Sequence, residues 1–241
     1  MRLFIVLSLL FHLSAIVANE LQALPEKTVV DCDNFQSTGC LITPSGYKSS
    51  EGKLIVFIRG FWGDYKGHVP EEKLVDSANQ ISKKFRLFEL AVKTGSSVLV
   101  IASSNLSLTE DILARVESET AKQLNKPSHH FNEITLAAHS GAYVGLMSSI
   151  DLLLNESTNR LNKIIMLDSY YTSKNESIAN AVKKGHACVG FLTQHNKSRF
   201  DTYYQPIGCI SDGPEGYKHS DSVPACLEQY LYKDHCEPTH R

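Results

Sequence analysis

Several features are missing from this chain of 241 residues, and each absence removes a class of function. No cluster of lysine and arginine is interleaved with aromatics, and 24 basic against 26 acidic side chains leave a formal charge of −2. The electrostatic footprint of a nucleic-acid binder is therefore lacking. The 10 histidines and 6 cysteines form no Cys-x-x-Cys pair and no His-x-x-x-His pair, so no zinc site is expected. No internal repeat or low-complexity block occurs. Beyond the N-terminus, no run is long and apolar enough to cross a bilayer, which takes roughly 20 residues. Tryptophan occurs once, at Trp62.

What is present begins with residues 1–18. Arg2 is followed by an apolar stretch from Leu3 to Val17, and Ala18 is a plausible cleavage residue. This reads as a signal peptide, shorter than a membrane anchor. The expectation is a mature single domain over residues 19–241, secreted or extracellular, with a lumenal or lysosomal location as the variant. One of the 24 basic residues, Arg2, lies in the leader, leaving 23 against 26 acidic and a net charge of −3. All six cysteines, Cys32, Cys40, Cys188, Cys209, Cys226 and Cys236, fall in the mature part. An even count behind a leader points to three disulfides. Six cysteines admit fifteen pairings; we expect Cys32–Cys40, Cys188–Cys209 and Cys226–Cys236. Four N-x-S/T sequons, at Asn105, Asn155, Asn175 and Asn196, mark expected glycosylation sites on surface loops.

Short, continuous, β-branched runs alternate with helical periodicity. Strands are expected near Gly39–Thr43 and over Lys53–Ile58, Ser97–Ala102, Ile134–Ala138, Leu161–Leu167 and Ala187–Thr193. Helical patterns run from Pro70 to about Thr94, from the N-cap Thr109 to about Leu124, from the end of the third clear strand to about Leu154, and from Val223 to about Tyr232. Residues 19–31 read as a polar, poorly fixed arm. Strands that are apolar on both sides imply a mostly parallel sheet with helices on both faces, whose sites gather at the carboxyl ends of the strands.

One such end holds Ala138-His139-Ser140-Gly141-Ala142. An apolar strand, a serine among small residues and a helix start form a sharp turn that lifts a hydroxyl toward a base and toward backbone N–H groups. The usual pattern has glycine two positions before and after the serine; here both are alanine. The alternative is an ordinary strand–turn–helix with an incidental serine. Two further features lie at the same expected edge: the loop Arg59-Gly60-Phe61-Trp62-Gly63, and Asp168 after the strand Leu161–Leu167.

With the motif Leu167-Asp168-Ser169-Tyr170 and His219 ahead of the last helix, the chain from Leu54 to Tyr232 resembles the α/β-hydrolase superfamily. That resemblance implies an α/β-hydrolase-like single domain and the chain order serine, acid, histidine, which here gives Ser140, Asp168 and His219. Ser140 is then the nucleophile, His219 the general base and acid, and Asp168 the residue that orients the imidazole. The Gly141 N–H and an N–H of Phe61 or Trp62 would hold the oxyanion. In this superfamily the acid more often follows the next strand, so Asp201 and Asp212 are alternates. Among the other histidines, His235 lies near the C-terminus, His186 precedes a strand at its far end from the site, and His139 is expected to pack against the sheet. Arg59 is expected either to hold an anionic substrate group or to pair with a surface carboxylate, and Trp62 to line an acyl pocket or simply to pack.

The resemblance implies a serine hydrolase acting on a small-molecule, lipid or peptide-like acyl substrate through an acyl-enzyme, without metal or cofactor. A monomer is expected. The short connection between Asp168 and Ala187 suggests an open site. The alternative is a catalytically inactive, secreted binding or adhesion glycoprotein on the same fold. A third reading is acyl transfer to an acceptor other than water.

Overall fold

A computed structural model describes residues 28–44, 47, 52–60, 69–169, 176–212, 219 and 222–237, with the side chains at 194–196, 198, 199, 212 and 222 excepted. The expected leader over residues 1–18, Phe61, Trp62 and Asn175 lie outside the described residues, as do the side chains of Asn196 and Asp212.

Eight strands form one sheet: β1 (Val29–Asp31), β2 (Gly39–Thr43), β3 (Lys53–Ile58), β4 (Ser97–Ile101), β5 (Glu133–His139), β6 (Leu161–Leu167), β7 (Ala187–Phe191) and β8 (Ile210–Asp212). Their order is β1-β2-β4-β3-β5-β6-β7-β8. The pairings of β1 with β2 and of β2 with β4 are antiparallel. Every pairing from β4 through β3 to β8 is parallel. The helices are α1 (Leu74–Lys84), α2 (Leu87–Thr94), α3 (Glu110–Gln123), α4 (Tyr143–Asn155), α5 (Glu176–Lys183), α6 (Gln194–Tyr203) and α7 (Ser222–Tyr232).

The continuous apolar strands are explained by burial on both sides. Along β3, Leu54, Val56 and Ile58 face one core and Ile55 and Phe57 the other. The first core is closed by α3, α4 and α5 through Leu113, Val116, Leu146, Ile150 and Ile178. The second is closed by α1, α2 and α7 through Leu74, Ile81, Leu87, Val223 and Tyr230. The architecture is thus the α/β-hydrolase-like one expected, a mostly parallel sheet with helices on both faces.

Some elements differ from the sequence reading. The helical pattern from Pro70 to Thr94 is two helices, broken where Arg86 takes a left-handed φ of 57°. The last three residues of the expected arm are ordered as β1, paired to β2 and joined to it by Cys32–Cys40. Thr109 caps α3 by accepting the Ile112 N–H at 3.3 Å, with Glu110 and Asp111 complementing the helix dipole. The structure pairs Cys188 with Cys209 and Cys226 with Cys236, so all six cysteines join sequence neighbours. Cys188–Cys209 fastens the segment entering edge strand β8 to β7. Among the described residues, no helix is long and apolar enough to cross a membrane, and no cluster of His, Cys, Asp or Glu is arranged to hold a metal ion.

Candidate active site

The register of the parallel strands decides which side chains meet. His139 of β5 is opposite Leu167 of β6, and Leu167 is opposite Phe191 of β7. The residues that follow, Ser140 and Asp168, therefore emerge side by side at the carboxyl edge, with Thr193 two residues beyond Phe191. Ser140 has φ 57°, the left-handed conformation expected of an elbow serine. Non-glycine residues are held there only when their surroundings over-determine them. Two backbone bonds do so: Ser140 N–H donates to Leu167 O at 3.1 Å, and Ala142 N–H to His139 O at 3.3 Å.

A third constraint comes from the end of β3. A Cβ on Gly60 would stand 2.5 Å from Ser140 Cβ and closer still to His139 O and Gly141 N. Gly60, just beyond β3, thus packs against the serine turn, at a spacing only glycine permits. Arg59, expected at the surface or on substrate, is 2 % exposed and holds the Gly60 carbonyl. Its guanidinium donates to Gly60 O at 2.8 Å, Ser77 Oγ at 2.7 Å and Ala102 O at 3.3 Å. Burial lowers its pKa to about 10, which leaves it charged at neutral pH.

Asp168 also has a left-handed φ, 50°, and is 2 % exposed. Its N–H donates to Phe191 O at 2.6 Å. Thr193 serves the carboxylate twice, through its N–H at 3.1 Å and its hydroxyl at 3.0 Å, both to Oδ1. The other oxygen, Oδ2, bonds His219 Nδ1. A buried carboxylate held by neutral donors on one side and an imidazole on the other is fully engaged. Of the alternate acids, Asp201 lies in α6 and accepts the Ser211 hydroxyl at 2.7 Å.

His219 keeps 43 % of its side chain exposed. His139 is 5 % exposed and packs its ring on that of His219, with centroids 4.8 Å apart and 29° between planes. The edge-on Phe85 ring is 5.1 Å away. His139 Nε2 is 3.3 Å from His219 O. Burial, and next the neighbouring His219, lower the His139 pKa to about 4, so it is neutral in the folded protein. His139 was expected to pack against the sheet; its ring contacts are Phe85 and the site histidine His219, and the latter is a partner that sequence reasoning missed.

The structure joins acid to histidine; among the described residues the Ser140 hydroxyl forms no hydrogen bond that would join histidine to serine. Catalytic bonds of this kind are often open without substrate. Ser140 is 5 % exposed. Gly141 is buried behind it. His186 lies at the amino end of β7, away from this edge, and His235 is on the surface with Glu237 at 3.2 Å. Of the sequon asparagines, Asn105 and Asn155 are exposed, but Asn155 ends helix α4 and Asn196 lies within helix α6, not in the surface loops expected. Sequence reasoning also missed Thr193. The signal was its place directly after β7, the position where the acid was alternatively sought.

A serine at positive φ between a parallel strand and a helix, followed in chain order by an acid and a histidine bonded to each other, is the arrangement of α/β-hydrolase-like folds. No protein-family model matches the chain, and no curated protein matches it. Solved structures do. The histone deacetylase Clr3 is 15 % identical, with 79 % of this chain covered and a TM-score of 0.39; the chain spans 33 % of that one. An arylesterase is 9 % identical, covering 79 % of this chain and 76 % of its own, with a TM-score of 0.39. Est1E from Butyrivibrio proteoclasticus is 11 % identical over 86 % of this chain and 98 % of its own, again at 0.39. These likenesses are distant, and the chemistry is read from the side chains themselves.

Proposed function

We propose that the protein is a secreted, disulfide-bonded glycoprotein enzyme, a serine hydrolase that cleaves an ester or amide bond through an acyl-enzyme on Ser140. The observation that carries this reading is the buried Asp168 carboxylate bonded to His219 Nδ1 beside a serine at φ 57° on the same sheet edge. His219, bonded through Nδ1 to Asp168, takes the Ser140 proton as the hydroxyl attacks the acyl carbon. Asp168 holds that tautomer and stabilises the imidazolium, which then returns the proton to the leaving alcohol or amine. Water, deprotonated by the same histidine, releases the acid. The Gly141 N–H, at the start of the turn into α4, and an N–H of Phe61 or Trp62 receive the oxyanion. Each such donor is worth about 3–4 kcal/mol of barrier. The chain acts as a monomer without metal or cofactor.

The test is labelling with a fluorophosphonate. Wild type is expected to be modified at Ser140, Ser140→Ala not at all, and Asp168→Asn roughly 10⁴-fold more slowly, because the imidazole then favours the wrong tautomer. Folded wild type that stays inert would refute catalysis and leave the binding glycoprotein.

A further inference from the structure

We infer that the glycan expected on Asn105 stands on the rim of the candidate active site and restricts it to small dissolved acyl substrates, holding off lipid aggregates. The inference rests on the serine-hydrolase reading of that site. Asn105 belongs to the segment that leaves the carboxyl end of β4, whose last residue is Ile101. That segment turns toward the nucleophile. Leu106 packs against both cores, and these lie on opposite faces of the sheet, so its side chain sits over the sheet edge. Its carbonyl presses on the first turn of α4: a Cβ on Gly145 would stand 2.1 Å from Leu106 O. Two residues on, the Leu108 N–H donates to Ser149 Oγ at 2.9 Å, and that hydroxyl donates to Gly145 O at 2.6 Å. Asn105 is thereby placed beside the helix start that follows Ser140, and it is exposed.

The side chain is oriented as well as placed. The buried Ser103 donates its hydroxyl proton to Asn105 Oδ1 and accepts the Val69 N–H at 3.3 Å. N-glycosylation takes Nδ2 and leaves Oδ1, so a glycosylated Asn105 keeps the bond to Ser103 and carries its sugar on a fixed stem. The other exposed sequon asparagine, Asn155, has a different place. It ends α4, a helix of 13 residues that begins at the site edge. At 1.5 Å per residue it lies about 20 Å away along the axis. A glycan there leaves the site edge clear. The sugar on Asn105 acts on approach and not on chemistry. A dissolved ester diffuses past it, whereas a micelle or bilayer must lie flat against the whole edge, and one fixed bulky group keeps it off.

The experiment uses the full chain secreted from a glycosylating host, with Asn175→Gln and Asn196→Gln throughout so that Asn105 and Asn155 are compared alone. Peptide mass spectrometry is expected to find Asn105 occupied. In Asn105→Gln, turnover of dissolved p-nitrophenyl acetate is expected to stay within about twofold while turnover of emulsified tributyrin rises roughly tenfold, because opening directions of approach raises an encounter rate by that order. Ser107→Ala, which breaks the sequon and keeps the Asn105 side chain, is expected to do the same, and Asn155→Gln to change neither rate. An unoccupied Asn105, an unchanged emulsion rate in Ser107→Ala and Asn105→Gln, or an equal rise in Asn155→Gln would overturn the inference. The place of the sugar is also read without catalysis. Val144 is 50 % exposed in the first turn of α4. Val144→Cys is expected to react with a small maleimide in every form, and with a polyethylene-glycol maleimide only where Asn105 carries no sugar. Equal reaction of the large reagent with and without that sugar would overturn the inference as well. A protein inert on both substrates in every form, yet shielded at position 144, overturns the hydrolase reading instead and leaves the sugar on the rim.

Discussion

Replacing Gly60 by alanine tests whether the loop after β3 and the nucleophile turn are one rigid unit. Gly60 is not among the residues with positive φ, so the requirement is for space, not for an unusual backbone. An alanine Cβ would stand 2.5 Å from Ser140 Cβ and nearer still to His139 O and Gly141 N, where real Cβ contacts stay beyond 3.0 Å. All three neighbours belong to the elbow, and two are main-chain atoms that cannot rotate away. Gly60 itself is tied by Arg59 Nε at 2.8 Å, so the elbow and the loop must separate by roughly half an ångström or more against fixed partners on both sides. Overpacking of this kind costs about 1–3 kcal/mol of stability. The kinetic cost is larger in proportion: a shift near 1 Å typically costs about 10²-fold, so a loss of at least roughly 10-fold is expected here. The assay is the second-order rate of fluorophosphonate labelling, corrected for the folded fraction, beside urea unfolding of the same sample. Folded Gly60→Ala that labels at the wild-type rate would refute the idea that this loop sets the position of Ser140.

Two further outcomes follow from buried groups. Arg59→Met removes the donor shared by Gly60 O, Ala102 O and Ser77 Oγ. Unsatisfied buried acceptors cost about 1–3 kcal/mol each, partly offset by no longer burying a cation, so a net loss near 3 kcal/mol is expected in urea unfolding; a change under about 1 kcal/mol would show that the guanidinium does not hold the loop. His139 has a folded pKa of about 4, below its ordinary value of 6.5. Between those values the unfolded chain binds the extra proton, so stability falls as pH falls from about 6.5 to about 4 and levels off below. The full shift amounts to up to about 3 kcal/mol. His139→Phe is expected to flatten that part of the curve, and parallel urea midpoints for variant and wild type from pH 7 to 4 would refute it.

How much of this was legible in the sequence depended on whether an element is specified locally. The central strands were, because a strand covered on both faces must be apolar throughout, as Lys53–Ile58 and Leu161–Leu167 are. Edge strands were not. Val29–Asp31 and Ile210–Asp212 are three residues each, and their outer sides impose no pattern. The break at Arg86 escaped notice because arginine carries no signal for positive φ. The same holds at the site. Ser140 was found from its strand–small residue–helix context, while Asp168 looked one strand too early. What makes the early position workable is Thr193, which supplies from two residues beyond β7 the donors that hold the carboxylate facing His219. That relation joins residues 25 apart, and its one sequence hint is the place of Thr193 just beyond β7.

The alanines at 138 and 142 look like a defect of the elbow when judged by the usual glycine pattern. The packing argues otherwise. Both are 0 % exposed, so their methyl groups are accommodated inside the first core. The demand for a missing Cβ falls instead at Gly60, against the elbow, and at Gly145, where a Cβ would meet Leu106 O. Close approach around the serine is therefore preserved by Gly60, while Gly145, in the first turn of α4, makes room for Leu106. A pattern that counts glycines at fixed offsets from the serine records one solution of the steric problem. Here Gly60 meets that demand from the neighbouring segment, and the alanines at 138 and 142 carry no weight against an active nucleophile.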